Sequence, residues 1–148
     1  MRQLLKVMLI LGGAFFLLCV LLAGAGAWWF KSNEARFKGA AESARAAGAT
    51  FGGAHTDTEC RTKALEELHA SNSFLEQVGH SVFLESCLKA ATVTPALCAK
   101  VPRKSEIGKG ILWAVAECAD RPENERQACS RLMQKVIDVC DARGLESP

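Results

Sequence analysis

The chain opens on one unbroken apolar block and then changes to apolar residues recurring three and four apart. From Val7 to Phe30, VMLILGGAFFLLCVLLAGAGAWWF, twenty-four residues pass without a charge. About twenty apolar residues of helix cross a ~30 Å hydrocarbon core. Arg2 and Lys6 precede the block and Lys31 follows it. Trp28 and Trp29 sit at one end, where amphipathic rings favour the membrane–water interface. The pattern predicts a single transmembrane helix over 7–30, acting as a signal anchor, with 1–6 as a short tail. The rival is a cleaved leader over 1–27, since a basic start, an apolar stretch and Ala25-Gly26-Ala27 resemble one. The apolar run exceeds the ~7–15 residues of a leader's core. Cys19 follows Leu17-Leu18 and lacks the small residue that a lipid-attachment cysteine needs before it.

Residues 31–55 hold twelve Ala and Gly in twenty-five positions. Alanine is the best helix former, so the first helix is expected to run to about Ala47, stop at Gly48 and joint at Gly52-Gly53. With little to bury, 31–55 reads as a helical stalk or a flexible linker.

From Thr56 the spacing is helical to the end, and 56–148 reads as one all-α domain. Thr56-Asp-Thr-Glu59 and Ser73-Phe-Leu-Glu76 are capping boxes. Cys60, Ala64 and Leu68 share a face of the first helix, and Leu75, Val78 and Val82 form a stripe on the second. A break is expected near Ser71-Asn72. Thr94-Pro95 starts a short helix carrying Leu97 and Cys98. Ser105 is expected to cap the next helix, with Ile107, Ile111, Val115 and Cys118 turned inward and Trp113 off-centre. Asp120-Arg-Pro-Glu123 reads as a turn with a third capping box, and the last helix runs to about Arg143 before Gly144. No alternating strand and no hairpin dipeptide appears.

Of seven cysteines, Cys60, Cys87, Cys98, Cys118, Cys129 and Cys140 follow the apolar block. An even set in a small domain implies a disulfide framework and an oxidising compartment. The domain is therefore expected in a bacterial periplasm or an equivalent space, on an inner-membrane anchor, with the tail cytoplasmic. Cys87–Cys98, Cys118–Cys129 and Cys129–Cys140 are each eleven residues apart. That interval returns a helix to the same face within about 20° but ~16 Å further along, beyond the ~4.4–6.8 Å Cα separation of a disulfide. Any bridged pair at this interval needs a turn between its members. Cys129 and Cys140 have no breaker between them and must each bond elsewhere. The favoured set is Cys60–Cys140, Cys87–Cys98 and Cys118–Cys129; the rival keeps Cys60–Cys87 and Cys98–Cys140.

Composition removes several functions. With Arg2 and Lys6 set aside, sixteen Lys and Arg balance sixteen Asp and Glu, and nucleic-acid domains usually show a clustered basic face. There is no close Cys or His pair of the kind zinc sites use, no Cys-x-x-Cys, no phosphate loop and no serine-nucleophile motif. His55, His69 and His80 stand in no catalytic pattern, so neither an enzyme nor a cofactor or metal is expected. Trp113 is expected to pack at the core edge; the alternative is an interface anchor, and with Arg103 and Lys104 nearby in sequence it marks where a protein-binding surface would lie, because interfaces enrich Trp and Arg. Ala23-x-x-x-Ala27 and its glycines fit helix packing in the membrane, a route to a homo-oligomer. The expectation is a membrane-anchored extracytoplasmic binding protein that touches the bilayer and a partner protein, of inhibitor or immunity type. The alternative is an accessory or assembly subunit of a cell-envelope membrane complex.

Overall fold

The computed structural model describes residues 2–69 and 73–144. They form α1 (Arg2–Gly52), α2 (Asp57–His69), α3 (Phe74–Ala90), α4 (Pro95–Cys98), α5 (Ile107–Glu117) and α6 (Glu123–Ala142). Among the described residues there is no strand, only an isolated bridge between Thr56 and Thr92. The fold is all-α and carries three disulfides. The break expected near Ser71-Asn72 lies outside the described residues.

The chain divides into two compact units, Met1–Lys38 and Gly39–Pro148. In the first, helix α1 leaves Phe15, Phe16, Leu21, Trp28 and other large apolar side chains exposed. Trp29 meets Phe37 edge-on with ring centroids 6.0 Å apart. The side chains of 2–11, Ala14 and Phe30, where the expected span begins and ends, lie outside the described residues. Among those described, no single helix is long and apolar enough to cross a membrane; Phe15–Trp29 and Lys31–Gly52 meet that criterion only as a pair.

The second unit begins well before the boundary expected at residue 56. Helix α1 passes through Gly48 and ends at Gly52. Both glycines are buried because the helix meets the α3 backbone there. A Cβ on Gly48 would lie 2.3 Å from the Phe83 carbonyl oxygen, and one on Gly52 would lie 2.3 Å from that of Cys87. Phe51 reaches Phe83, with centroids 6.0 Å apart. Residues 39–52 are therefore part of the domain wall and not a stalk. Four-residue spacing on both helices creates the contact: side-chain-free positions on α1 let the two backbones approach closely.

Helix α6 is the central post of this unit. Its buried residues Ala128, Cys129, Leu132, Met133, Val136, Ile137 and Cys140 recur three and four apart, and it packs against α2, α3, α4 and α5. Cys60, Ala64 and Leu68 of α2 are buried as their spacing implies. On α3 the core residues are Phe83, Leu84, Cys87 and Leu88. The Leu75, Val78, Val82 stripe is not fully buried, and Val78 is exposed. The bond at Cys87 turns the later face of α3 toward α2 instead.

The disulfides are Cys60–Cys87, Cys98–Cys140 and Cys118–Cys129, with Cα separations of 5.8, 5.6 and 6.0 Å. The expected Cys118–Cys129 bond is present, across the turn at Pro122. The expected Cys60–Cys140 and Cys87–Cys98 bonds are not, and the rival pairing holds. The reason lies in Ala91–Thr94, which is extended at both ends, with φ/ψ of −74°/155° at Ala91 and −117°/141° at Thr94. This segment does not fold α4 back on α3. It runs past the start of α2, where Thr92 N donates to His55 O and Asp57 N donates to Thr92 O. It then delivers Cys98 to α6. By the loop-closure model, contours of 27, 42 and 11 residues correspond to about 3–4 kcal/mol per bond.

Both N-terminal capping boxes form. The Thr56 N–H and hydroxyl donate to Glu59 Oε2 at 2.7 Å each, and Ser73 with Glu76 completes the second. The caps expected at Ser105 and Asp120 do not form: Glu106 and Pro122 hold those positions without side-chain bonds. The Pro122 carbonyl instead accepts from Glu125 and Arg126 N–H groups, and its ring presets the backbone for the first turn. Gly144, at φ 63°, follows α6 as a left-handed terminator.

Asp57 is fully buried and gathers four elements. Its carboxylate accepts from Thr94 N at 3.1 and 3.2 Å, from the Thr94 hydroxyl at 2.6 Å and from Arg143 Nη1 at 2.7 Å. The Arg143 guanidinium also donates to the Leu88 carbonyl. Thr94 thus occupies a cap position while spending its hydroxyl on α2.

Candidate interaction surface

Helix α5 is built from Ile107, Gly108, Lys109, Gly110, Ile111, Leu112, Trp113, Ala114, Val115, Ala116 and Glu117. Its orientation is opposite to the one its large residues suggest. Gly110, Ala114 and Cys118 are buried against the core, and a Cβ on Gly110 would meet Ile137 Cδ1 at 3.4 Å. Ile107 and Leu112 are each 72% exposed, Val115 56% and Ile111 54%. The expectation that Ile107, Ile111 and Val115 face inward is therefore corrected. The cause is the Cys118–Cys129 bond: a tie only eleven residues long holds α5 close to α6. Interaxial distance depends on the side chains at the contact, and at this range only small residues fit. The available signal was Gly110 and Ala114 four apart, in step with Cys118.

At ~1.5–3 kcal/mol for each large aliphatic side chain fully buried, these four represent roughly 4–8 kcal/mol of apolar burial not realised within the chain. That is a large unmet term for a domain of this size.

Trp113 lies on another flank of α5. It is half-buried and packs against the core. With Arg103, Lys100, Ser105, Glu106 and Lys109 it lines an open basin of about 600 Å³. Arg103 and Trp113 thus come together as expected. Lys104 does not join them. Its ammonium bridges Asp138 Oδ1 of α6 at 2.7 Å, and its N–H donates to Asp141 Oδ1. Within the basin Lys109 pairs with Glu106. The Lys109 ammonium, with the Arg103 N–H, holds the Glu106 carboxyl below the usual carboxylate range. The basin is therefore a polar bowl with one aromatic wall.

The histidines do not form a reactive cluster. His69 Nδ1 contacts Glu125 Oε1 at 2.8 Å, and His80 Nδ1 lies 3.6 Å from Glu67. Both contacts run between helices, from α2 to α6 and from α3 to α2. His55 stacks on Phe51 at a centroid distance of 3.8 Å. Among the described residues, no group of three or more His, Cys, Asp or Glu side chains gathers as a metal would require. Cys19 is a free, exposed thiol.

Charge pairs set an acid limit on the domain. Lys89 first, then Lys135, hold the Glu85 carboxyl low, and the Thr56 backbone N–H does the same for Glu59. A carboxyl whose folded pKa is depressed contributes stability above its unfolded value, ~4.3 for Glu, and loses it as pH falls through the folded value. Lys104, raised by its bond to Asp138, keeps its contribution until pH climbs past the unfolded lysine value of ~10.4. The thermal midpoint, followed by circular dichroism, is expected to fall below about pH 4. The fall should be shallower in Glu85→Gln; an equally steep fall in that variant would remove Glu85 from the account.

Compared with known proteins, the chain matches no family model, no curated protein and no solved structure. The fold defines an all-α domain braced by three disulfides, with one helix, α5, that exposes a row of large apolar side chains.

Proposed function

We propose that this chain is a membrane-anchored, extracytoplasmic binding protein that holds another protein near a bilayer, in the manner of an inhibitor or immunity protein. The observation that carries this reading is the meeting of Trp113 and Arg103 in one open basin on a frame locked by three disulfides. A rigid frame lowers the ordering cost of association, and Trp and Arg are the side chains most enriched at binding hot spots. Three disulfides fit an oxidising extracytoplasmic compartment. The uncharged run Val7–Phe30 supplies the anchor in this reading, with the domain on the periplasmic side of an inner membrane or its equivalent.

The test is capture from solubilised membranes of the native cell, using the intact chain and the double variant Trp113→Ala/Arg103→Glu. The intact chain should retain a stoichiometric protein partner. The double variant should bind it at least tenfold more weakly, about 1.4 kcal/mol. No stoichiometric partner, or one held equally by both chains, would sink the proposal. A second reading, an accessory subunit of an envelope complex, is favoured by the open glycine positions of the N-terminal helix. A Cβ on Gly12, Gly13, Gly24 or Gly26 meets nothing within 4 Å, which suits close helix packing. Replacing 7–30 with an unrelated apolar helix abolishes function in that reading and spares it in the first.

A further inference from the structure

We infer that the outer face of α5 is a self-association surface, on which a second copy of this chain packs its own α5 antiparallel about a two-fold axis between Ile111 and Leu112. Gly108, Ile111, Leu112 and Val115 are spaced i, i+3, i+4 and i+7, the spacing of one face of a helix. This face is distinct from the Trp113 basin, so one copy can hold a partner there while paired with another.

Shape selects the antiparallel arrangement. A two-fold axis between 111 and 112 brings residue 108 of one copy opposite residue 115 of the other. Gly108 is an open notch, since a Cβ there would meet nothing within 4 Å. Val115 is a projecting side chain, 56% exposed. Each copy therefore offers a notch where its mate offers a knob, and isologous pairing uses both twice. A parallel pair would set notch on notch and Val115 on Val115.

Charge selects the same direction. In sequence, Arg103, Lys104 and Lys109 outnumber Glu106 at the start of α5, while Glu117, Asp120 and Glu123 outnumber Arg121 from its last turn onward. Antiparallel packing lays the cationic end of each helix over the acidic end of the other, and opposes the helix dipoles. Lys104, Lys109 and Glu117 already have partners within the chain, so this complementarity fixes orientation more than strength. A contact made by one eleven-residue helix falls at the small end of specific interfaces, below ~1,200 Å² in total. The dimer is accordingly weak, with a dissociation constant on the order of micromolar.

The test uses the full chain in mild detergent, with a photoreactive benzophenone side chain at position 112, at 115 or, as a control, at exposed position 66 on α2. Positions 112 and 115 should give a covalent dimer and position 66 should not. Adducts from 115 should map to the neighbourhood of Gly108 in the second copy. Leu112→Asp should weaken the dimer at least tenfold in sedimentation velocity; should that variant fail to fold, the map from the native face decides alone. Adducts from 115 onto Val115, adducts only to detergent or lipid, or a monomer at about 100 μM would each overturn the proposal. So would a dimer indifferent to Leu112→Asp, which would belong to the N-terminal helix.

Discussion

Asp57→Ala is expected to lower the unfolding free energy of the chain by about 3–5 kcal/mol, read from urea denaturation of the full chain with an unchanged denaturant slope. The side chain it removes is fully buried and accepts from Thr94 and Arg143. Alanine would leave the Arg143 guanidinium without its carboxylate and the Thr94 N–H without an acceptor. Most of the loss comes from those stranded groups. Asp57→Asn, which retains an acceptor oxygen, should lose clearly less. Arg143→Leu combined with Asp57→Ala should lose less than the sum of the two single changes, because the second removal relieves the charge stranded by the first. Strict additivity would mean that the two side chains do not act as a pair.

Gly52→Ala is expected to cost about 3 kcal/mol or more, against the direction helix propensity predicts. In an exposed helix interior alanine is favoured over glycine by about 1 kcal/mol. Here the new Cβ would stand 2.3 Å from the Cys87 carbonyl oxygen and 3.0 Å from its Cα. Those are backbone atoms of a helix tied to α2 through Cys60–Cys87, so the neighbour cannot swing aside as a flexible side chain would. The thermal midpoint should drop by roughly 10–20 °C. Gly53→Ala is the matched control: its Cβ would meet only the Ala49 and Thr50 carbonyl oxygens at 3.5 and 3.7 Å, and the change should stay within about 1 kcal/mol. Equal effects at 52 and 53 would mean that α1 does not approach α3 as described.

The parts of the fold legible in the sequence were those set by local rules. The helices followed from spacing, two capping boxes from their residue pairs, and the Gly144 terminator from its place after the last helix. The face shared by Cys129 and Cys140 followed from counting turns, and so did the need for a turn between Cys118 and Cys129. What escaped was set by contacts between distant segments. Gly48 and Gly52 look like stops until α3 is placed against them. Asp57 looks like an ordinary first-turn acid until Arg143, 86 positions away, is brought to it. The partners of Cys87 and Cys98 depended on whether Ala91–Thr94 folds back or stays extended. On α5 the large residues carried the period, but the short disulfide admitted only the small ones, and so the candidate surface was read as core. Trp113 and Arg103, singled out by residue type, line one basin, whereas Lys104, their neighbour in sequence, is drawn away to Asp138.

The nesting of the disulfides bears on how the protein matures. Chains are synthesised N-terminus first, and Cys60 and Cys87 are consecutive cysteines in that order. Cys98 comes next, yet its mate is Cys140, the last to arrive, while Cys118 and Cys129 pair inside that span. Joining cysteines in order of arrival would link Cys98 to Cys118 and leave Cys129 and Cys140 as thiols on one face of α6. Eleven residues of helix set them ~16 Å apart, so they cannot seal with each other while α6 is formed. The Cys98–Cys118 product thus retains two thiols, and a thiolate can attack and exchange the misplaced bond. The helix that serves as the post of the finished domain thus keeps this one mispairing open to exchange.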